Sequence, residues 1–146
     1  MLPQKLADVR TFIDCCDLAV VSSLSSRSSR SSEGKPQSAV VAVVVKPELE
    51  IIFDTVDRSR KYANLKANGA CSVTMWKGEA TVQYEGVAIE PTGDELVGYQ
   101  EAYFTKLPDG RDRLKWEGIA YFVVRPKWLR FSDFDARPPA IEEHAF

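Results

Sequence analysis

The sequence predicts a mainly β fold with short helices, in which six antiparallel strands form one sheet. Three observations carry this expectation. Residues 39–45, Ala-Val-Val-Ala-Val-Val-Val, are almost continuously β-branched, which suits a pleated surface better than a helix. Runs of strand length follow one another with few turn-forming residues between them, Pro47-Glu48 in one place and Lys77-Gly78-Glu79 in another, and this is hairpin spacing. Helical periodicity is confined to short stretches. An order dominated by hairpins points to a small barrel, because closure removes the exposed edges of an open sheet. Alternation alone allows a sandwich equally.

Taken in order, Leu6, Val9, Phe12, Ile13 and Cys16 recur at helical spacing and predict an amphipathic helix over 5–16. Residues 17–24 read as a strand. From 25 to 38 the composition shifts toward Ser, Arg, Gly, Lys and Pro with nothing apolar to bury, a loop within the domain. Its Ser26-Arg27-Ser28-Ser29-Arg30-Ser31 core is too short and isolated to act as the Ser/Arg tract of an RNA-processing protein. A solvated hairpin loop is the ordinary reading, and an anion-contacting flap or a modified segment is the alternative. The run 39–45 is expected as a strand buried on both faces at the centre of a closed sheet, with 49–55 returning beside it. A helix over 58–67 follows, ended by Asn68-Gly69, where glycine would take the left-handed conformation. Residues 70–76 and 80–89 give two more strands, and Gly86 inside the second marks a bulge or a close approach. Residues 94–105 form a helix with Leu96, Tyr99 and Tyr103 facing inward, and 119–133 a last strand with a break at Pro126. Residues 134–146 are a C-terminal tail.

The 146 residues, 45% hydrophobic and 10% aromatic, suffice for one core, so 1–146 is read as a single domain. With 19 basic and 21 acidic side chains, a net charge of −2 provides no global field toward nucleic acid or an anionic membrane, and neither is expected as a partner. The longest apolar run is far too short to span a bilayer and the first ten residues lack the apolar block of a signal peptide, so the expected location is cytoplasmic. Cys15, Cys16 and Cys71 fit neither a disulfide framework nor a metal site. Each is expected as a buried, reduced thiol, with a redox role for Cys15 or Cys16 as the alternative.

The residues with most chemistry are Ser59-Arg60-Lys61, which fall where the strand 49–55 turns into the helix 58–67. The first N–H groups of a helix lack partners within it, and its dipole favours an anion there. Ser59 adds a hydroxyl, Arg60 a planar fork that can grip two oxygens, and Lys61 a mobile point charge. Together they suit one terminal dianionic phosphate; the plain alternative is an exposed helix start with solvated charges. No Gly-x-Gly-x-x-Gly follows a strand and there is no P-loop, so a resident dinucleotide or nucleotide of those types is not supported. The sole histidine, His144, is third from the end and is expected in a disordered tail, which removes His-based triads and His-rich metal cages.

Phe-x-Thr-x-x-x-Ser-Arg-Lys at 53–61, a short helix closing on Asn64-Leu65-Lys66-Ala67-Asn68, and a strand pair ending at Tyr84-Glu85-Gly86-Val87-Ala88 resemble the pyridoxamine 5′-phosphate oxidase-like family of FMN-binding split β-barrels. The similarity spans residues 5 to 135. It implies a six-stranded antiparallel split β-barrel of Greek-key type, and a homodimer with two flavin sites built across the subunit interface. Phosphate roles fall to Ser59, Arg60 and Lys61, and a place beside the flavin to Thr55. Lys46 is a candidate for the N1 and C2 carbonyl edge of the ring, against the ordinary reading of a strand-end lysine in water. Thr81 and Gln83 lie on the strand where the family places a polar side chain toward the flavin, subject to a one-residue register. Tyr84, Trp116, Tyr121, Trp128 and Phe131 are read mainly as core or dimer contacts.

The activity so implied is an FMN-dependent oxidoreductase acting on an unassigned small molecule, with NADH or NADPH as an allowed electron donor. The Arg-x-His pair of true pyridoxamine phosphate oxidases is missing from Arg137-Pro138-Pro139-Ala140-Ile141-Glu142-Glu143-His144, so that substrate is not implied. The alternatives are a flavin-binding protein without turnover, serving storage or sensing, and a relative that uses the deazaflavin F420. Haem is the weakest option, for want of an axial histidine.

Overall fold

The computed structural model describes residues 2–25 and 34–146. Helix α1 (Gln4–Asp14) leads into β1 (Leu18–Leu24), β2 (Pro36–Ala42), β3 (Val44–Val45) and β4 (Ile51–Val56). Then come α2 (Arg60–Ala67), β5 (Ala70–Lys77), β6 (Ala80–Ile89), α3 (Gly93–Lys106), a 3₁₀ segment (Pro108–Lys115), β7 (Ile119–Asp133) and β8 (Ala140–Ala145). The architecture is mainly β with short helices. Seven strands form one curled antiparallel sheet in the order β2-β1-β5-β6-β7-β4-β3, and β8 pairs with β7 off that path.

Closure comes from one residue. The two ends of the path, β2 and β3, are consecutive in the chain with only Val43 between them, so the sheet curls until its ends meet. Val43 is fully buried and its N–H donates to the Asp17 carbonyl at 3.3 Å. This corrects two expectations. The run 39–45 is not one central strand; it bends at Val43 and supplies both terminal strands of the path, with Val40 on β2 62% exposed. The expected six strands therefore become seven on the path, and β8 adds an eighth. Residues 140–145, expected within a tail, pair with β7 from Trp128↔Ala145 to Asp133↔Ala140. No break occurs at Pro126: β7 runs through it, pairing with β4 before it and with β8 after it, and the proline falls in the gap between those two partners.

Of the Ser/Arg-rich loop, 26–33 lies outside the described residues. Its flanks are zipped: Ser25 N–H donates to Lys35 O at 2.8 Å and Lys35 N–H to the Ser25 hydroxyl at 2.9 Å, so 36–38 already belong to β2.

The barrel interior is filled by alternate residues of the strands and closed by Leu6, Val9 and Ile13 of α1. Tyr84 sits at its centre, its hydroxyl donating to Leu49 O at 2.8 Å and to Val124 O at 3.0 Å, which ties the β3–β4 turn to β7. A second cluster lies under α3, where Tyr103 and Phe104 cover Ile52, Tyr121 and Val123. Tyr84 and Tyr121 are thus core, and Phe131 packs edge-on against Phe12 of α1.

Two glycines matter for backbone approach. Gly86 sits where the β6–β7 register shifts, and a Cβ there would lie 2.3 Å from Arg125 O, which fulfils the expectation of a bulge and a close approach. Gly69 differs from expectation. Asn68 is extended at φ −148° and Gly69 has no positive φ; its need is steric, since a Cβ would lie 2.5 Å from Ala88 O.

Candidate functional site

Ser59 is the N-cap of α2, with φ −77° and ψ 155°, and its hydroxyl accepts from Tyr62 N–H at 3.2 Å. The same hydroxyl lies 2.9 Å from that of Thr55, a buried residue near the end of β4. Strand end and helix start are therefore fastened by a pair of hydroxyls, and this presents Arg60 and Lys61 in the first turn. Both line a cavity of about 80 Å³ with Ser23 of β1 and with Gln37, Ser38 and Ala39 of β2. A space of that size has room for one tetrahedral anion.

Asn64 holds two of the lining residues in place. It is 4% exposed, and its side-chain N–H₂ donates to the Ser23 hydroxyl at 3.1 Å and to Gln37 Oε1 at 3.0 Å, joining α2 to β1 and β2. Ser23, Gln37, Ser38 and Asn64 were not foreseen. The available signal was Asn64, one helical turn beyond Arg60, a polar residue on the helix face that carries the cations. Lys61 is half-buried, and its pKa is lowered, chiefly because burial disfavours the ammonium; the Asp54 carboxylate partly opposes this. A cation held short of full hydration is one an anion can satisfy.

The other expected site residues lie elsewhere in the single chain. Lys46, just past β3, has its ammonium 5.8 Å from the centre of the Tyr99 ring and lines a separate cavity of about 180 Å³ with Asp94, Glu95 and Gly98. Thr81 is half-buried between Trp76 and Ser132, and Gln83 is exposed between Thr74 and Arg130. The largest cavity described, about 440 Å³, is a groove over β1, β5 and β6. Ser22, Leu24, Ser72, Glu85, Val87 and Lys127 are among its walls. Ser23 lines both this groove and the cavity at α2.

The thiols divide by environment. Cys16 is buried and Cys71 half-buried, but Cys15 is exposed, against expectation, because it caps the C-terminus of α1 on the solvent side. Burial pushes the Cys71 thiol up to about 12, and a backbone hydrogen bond involving Ala88 only partly offsets it. At mildly alkaline pH Cys15 alone should therefore alkylate fast with iodoacetamide, read by mass spectrometry of the native protein. Rapid modification of Cys71 would show that the groove floor is open to water. His144, expected in a disordered tail, lies on β8 opposite Leu129, its Nε2 3.6 Å from Glu142 Oε1, and lines none of these cavities. Among the described residues no group of three or more His, Cys, Asp or Glu could hold a metal ion, and no helix is long and apolar enough to cross a membrane.

No family model and no curated protein matches the sequence. Solved structures do. The chain superposes on a heme binding protein from Mycobacterium smegmatis with a TM-score of 0.81 at 18% identity, covering 99% of this chain and 59% of that one. A protein of unknown function from Agrobacterium tumefaciens gives 0.75 at 17% identity, with 88% and 57% covered. A pyridoxamine 5′-phosphate oxidase-related, FMN binding protein from Nostoc punctiforme gives 0.69 at 10% identity, with 100% and 97% covered. This chain thus spans under three fifths of the first two proteins and nearly all of the third. The likeness shows the fold: the curled antiparallel sheet is shared with these structures, among them the FMN binding protein from Nostoc punctiforme.

Proposed function

We propose that the chain binds FMN, with its phosphate in the cavity at the start of α2, and works as an FMN-dependent oxidoreductase on a small molecule. One observation carries this reading: Arg60 and Lys61 converge, in the first turn of a helix, on a phosphate-sized space walled by hydroxyl and amide groups. In that arrangement Arg60 and Lys61 neutralise the phosphate, the first N–H groups of α2 donate to it, and Ser23 and Ser38 offer hydroxyls. Thr55 and Ser59 hold the turn in shape. The flavin ring, when bound, supplies the hydride or electron transfer.

A homodimer belongs to the same proposal. Leu18, Val40 and Trp76 lie on one outward face of β1, β2 and β5 and are 51%, 62% and 47% exposed. A second copy covering that face would also bring Gln83, on the neighbouring strand of the same face, to the boundary between subunits. Sedimentation should then give twice the chain mass of 16.3 kDa, and Val40→Asp should give the single chain with weakened FMN binding. A wild-type protein that sediments as one chain removes the dimer from the account.

The spectrum of the purified protein tests the main reading. A yellow protein, or a colourless one that takes up added FMN, supports it; failure of both rejects it. Bound FMN that neither NADH nor NADPH reduces points to storage or sensing without turnover, and the mass of the released cofactor separates FMN from F420. The heme binding protein from Mycobacterium smegmatis motivates a second reading, haem, which the same spectrum would reveal. His144 lines neither the groove nor the α2 cavity, which weakens that case.

A further inference from the structure

We infer that the groove over β1, β5 and β6 is a binding site for a largely apolar small molecule carrying one acidic group, which Lys127 receives. The groove holds about 440 Å³, within the range of small-molecule sites. Short side chains, Ser22 and Ser72, and apolar ones, Leu24 and Val87, line it together. Such a lining favours an apolar body over a strongly hydrated one.

Lys127 is placed by the β-bulge. Across β6 and β7, Glu85 pairs with Trp128 and Gly86 with Pro126, so Lys127 is the extra residue with no partner on β6. Bulges re-aim a side chain in this way, and Gly86 permits the close backbone approach that forms this one. Among the described residues no carboxylate lies within 4.0 Å of the Lys127 ammonium, although Glu85 lines the same groove. An unpaired cation beside an apolar groove selects a ligand with an acid at one end, and the unpaired Glu85 disfavours a second acid. If the flavin reading holds, this ligand lies beside the cofactor phosphate, since the groove shares Ser23 with the α2 cavity; that placement alone rests on the flavin reading.

Two fluorescent probes with the same rings test the site in FMN-free protein: 8-anilinonaphthalene-1-sulfonate, which carries one acid, and N-phenyl-1-naphthylamine, which carries none. Wild type should bind the sulfonate more tightly. Lys127→Gln, an exposed substitution, should weaken the sulfonate about tenfold and leave the neutral probe unchanged. Val87→Trp should displace both. Arg60→Ala should alter neither, so this inference and the phosphate reading can fail separately. The inference is overturned if wild type binds neither probe, or if Lys127→Gln affects both equally or not at all. It is also overturned if Arg60→Ala weakens the sulfonate as much as Lys127→Gln does, or if probe binding vanishes as the protein self-associates, which makes a second copy the occupant.

Discussion

Arg60→Ala lowers FMN affinity by about a hundredfold, and Lys61→Met by about tenfold. The difference follows from geometry: a guanidinium fork loses two charge-assisted hydrogen bonds at roughly 1.5–3 kcal/mol each, an ammonium only one contact. Solvent around Arg60 keeps the first figure at the lower end of that range. The lysine variant does something further. Burial lowers the pKa of Lys61 in the folded chain below its value in the unfolded one. Below the folded pKa the cost of holding a charged ammonium is present in full. As pH rises from there toward the unfolded value, the unfolded state binds more protons and stability increases. Apoprotein with methionine at 61 should therefore melt higher than wild type at neutral pH, and it should lack the rise in stability that wild type shows on the alkaline side. Calorimetric melting across pH, with FMN titrations alongside, checks both halves. A Lys61→Met apoprotein no more stable than wild type would mean that the cavity does not desolvate this lysine.

Gly86→Ala costs about 3 kcal/mol or more, roughly a 10 °C fall in Tm for a chain of this size. A Cβ at this position would lie 2.3 Å from Arg125 O and 2.8 Å from Val124 Cγ1, distances real contacts do not reach. Either β6 and β7 separate, breaking the longest pairing in the sheet, or the bulge shifts and takes Lys127 with it. Gly78→Ala is the control. Gly78 has φ +59° in open space, so alanine there pays only the left-handed penalty, about 1–2 kcal/mol. Urea midpoints of the two variants compare them directly, and equal losses would show that the β6–β7 approach carries no special constraint.

The parts of the fold legible in the sequence are those set by local pattern. The spacing of Leu6, Val9 and Ile13 specifies α1, and the alternation through Val82, Tyr84 and Ala88 specifies β6. The run 39–45 misled because β-branching reports burial and extension but not continuity. Nothing in seven similar residues marks Val43 as the corner where the sheet changes edges. β8 was missed for the opposite reason: Ala-Ile-Glu-Glu-His-Ala is mostly exposed and pairs only because β7 runs past the end of β4 and leaves an open edge. At the candidate site, Arg60, Lys61 and the Ser59 cap were readable from one helix start. Ser23, Gln37 and Ser38 were not, because they come from strands some 20 to 40 positions away in sequence and reach the cavity through β1–β2 pairing and the hydrogen bonds of Asn64.

Titrating apoprotein with FMN and with riboflavin isolates the proposed recognition of a terminal phosphate at α2, since the two ligands differ by that group alone. FMN should bind at least about a hundredfold more tightly, and most of this margin should disappear when Arg60 is replaced. Equal affinities for the two flavins would contradict it.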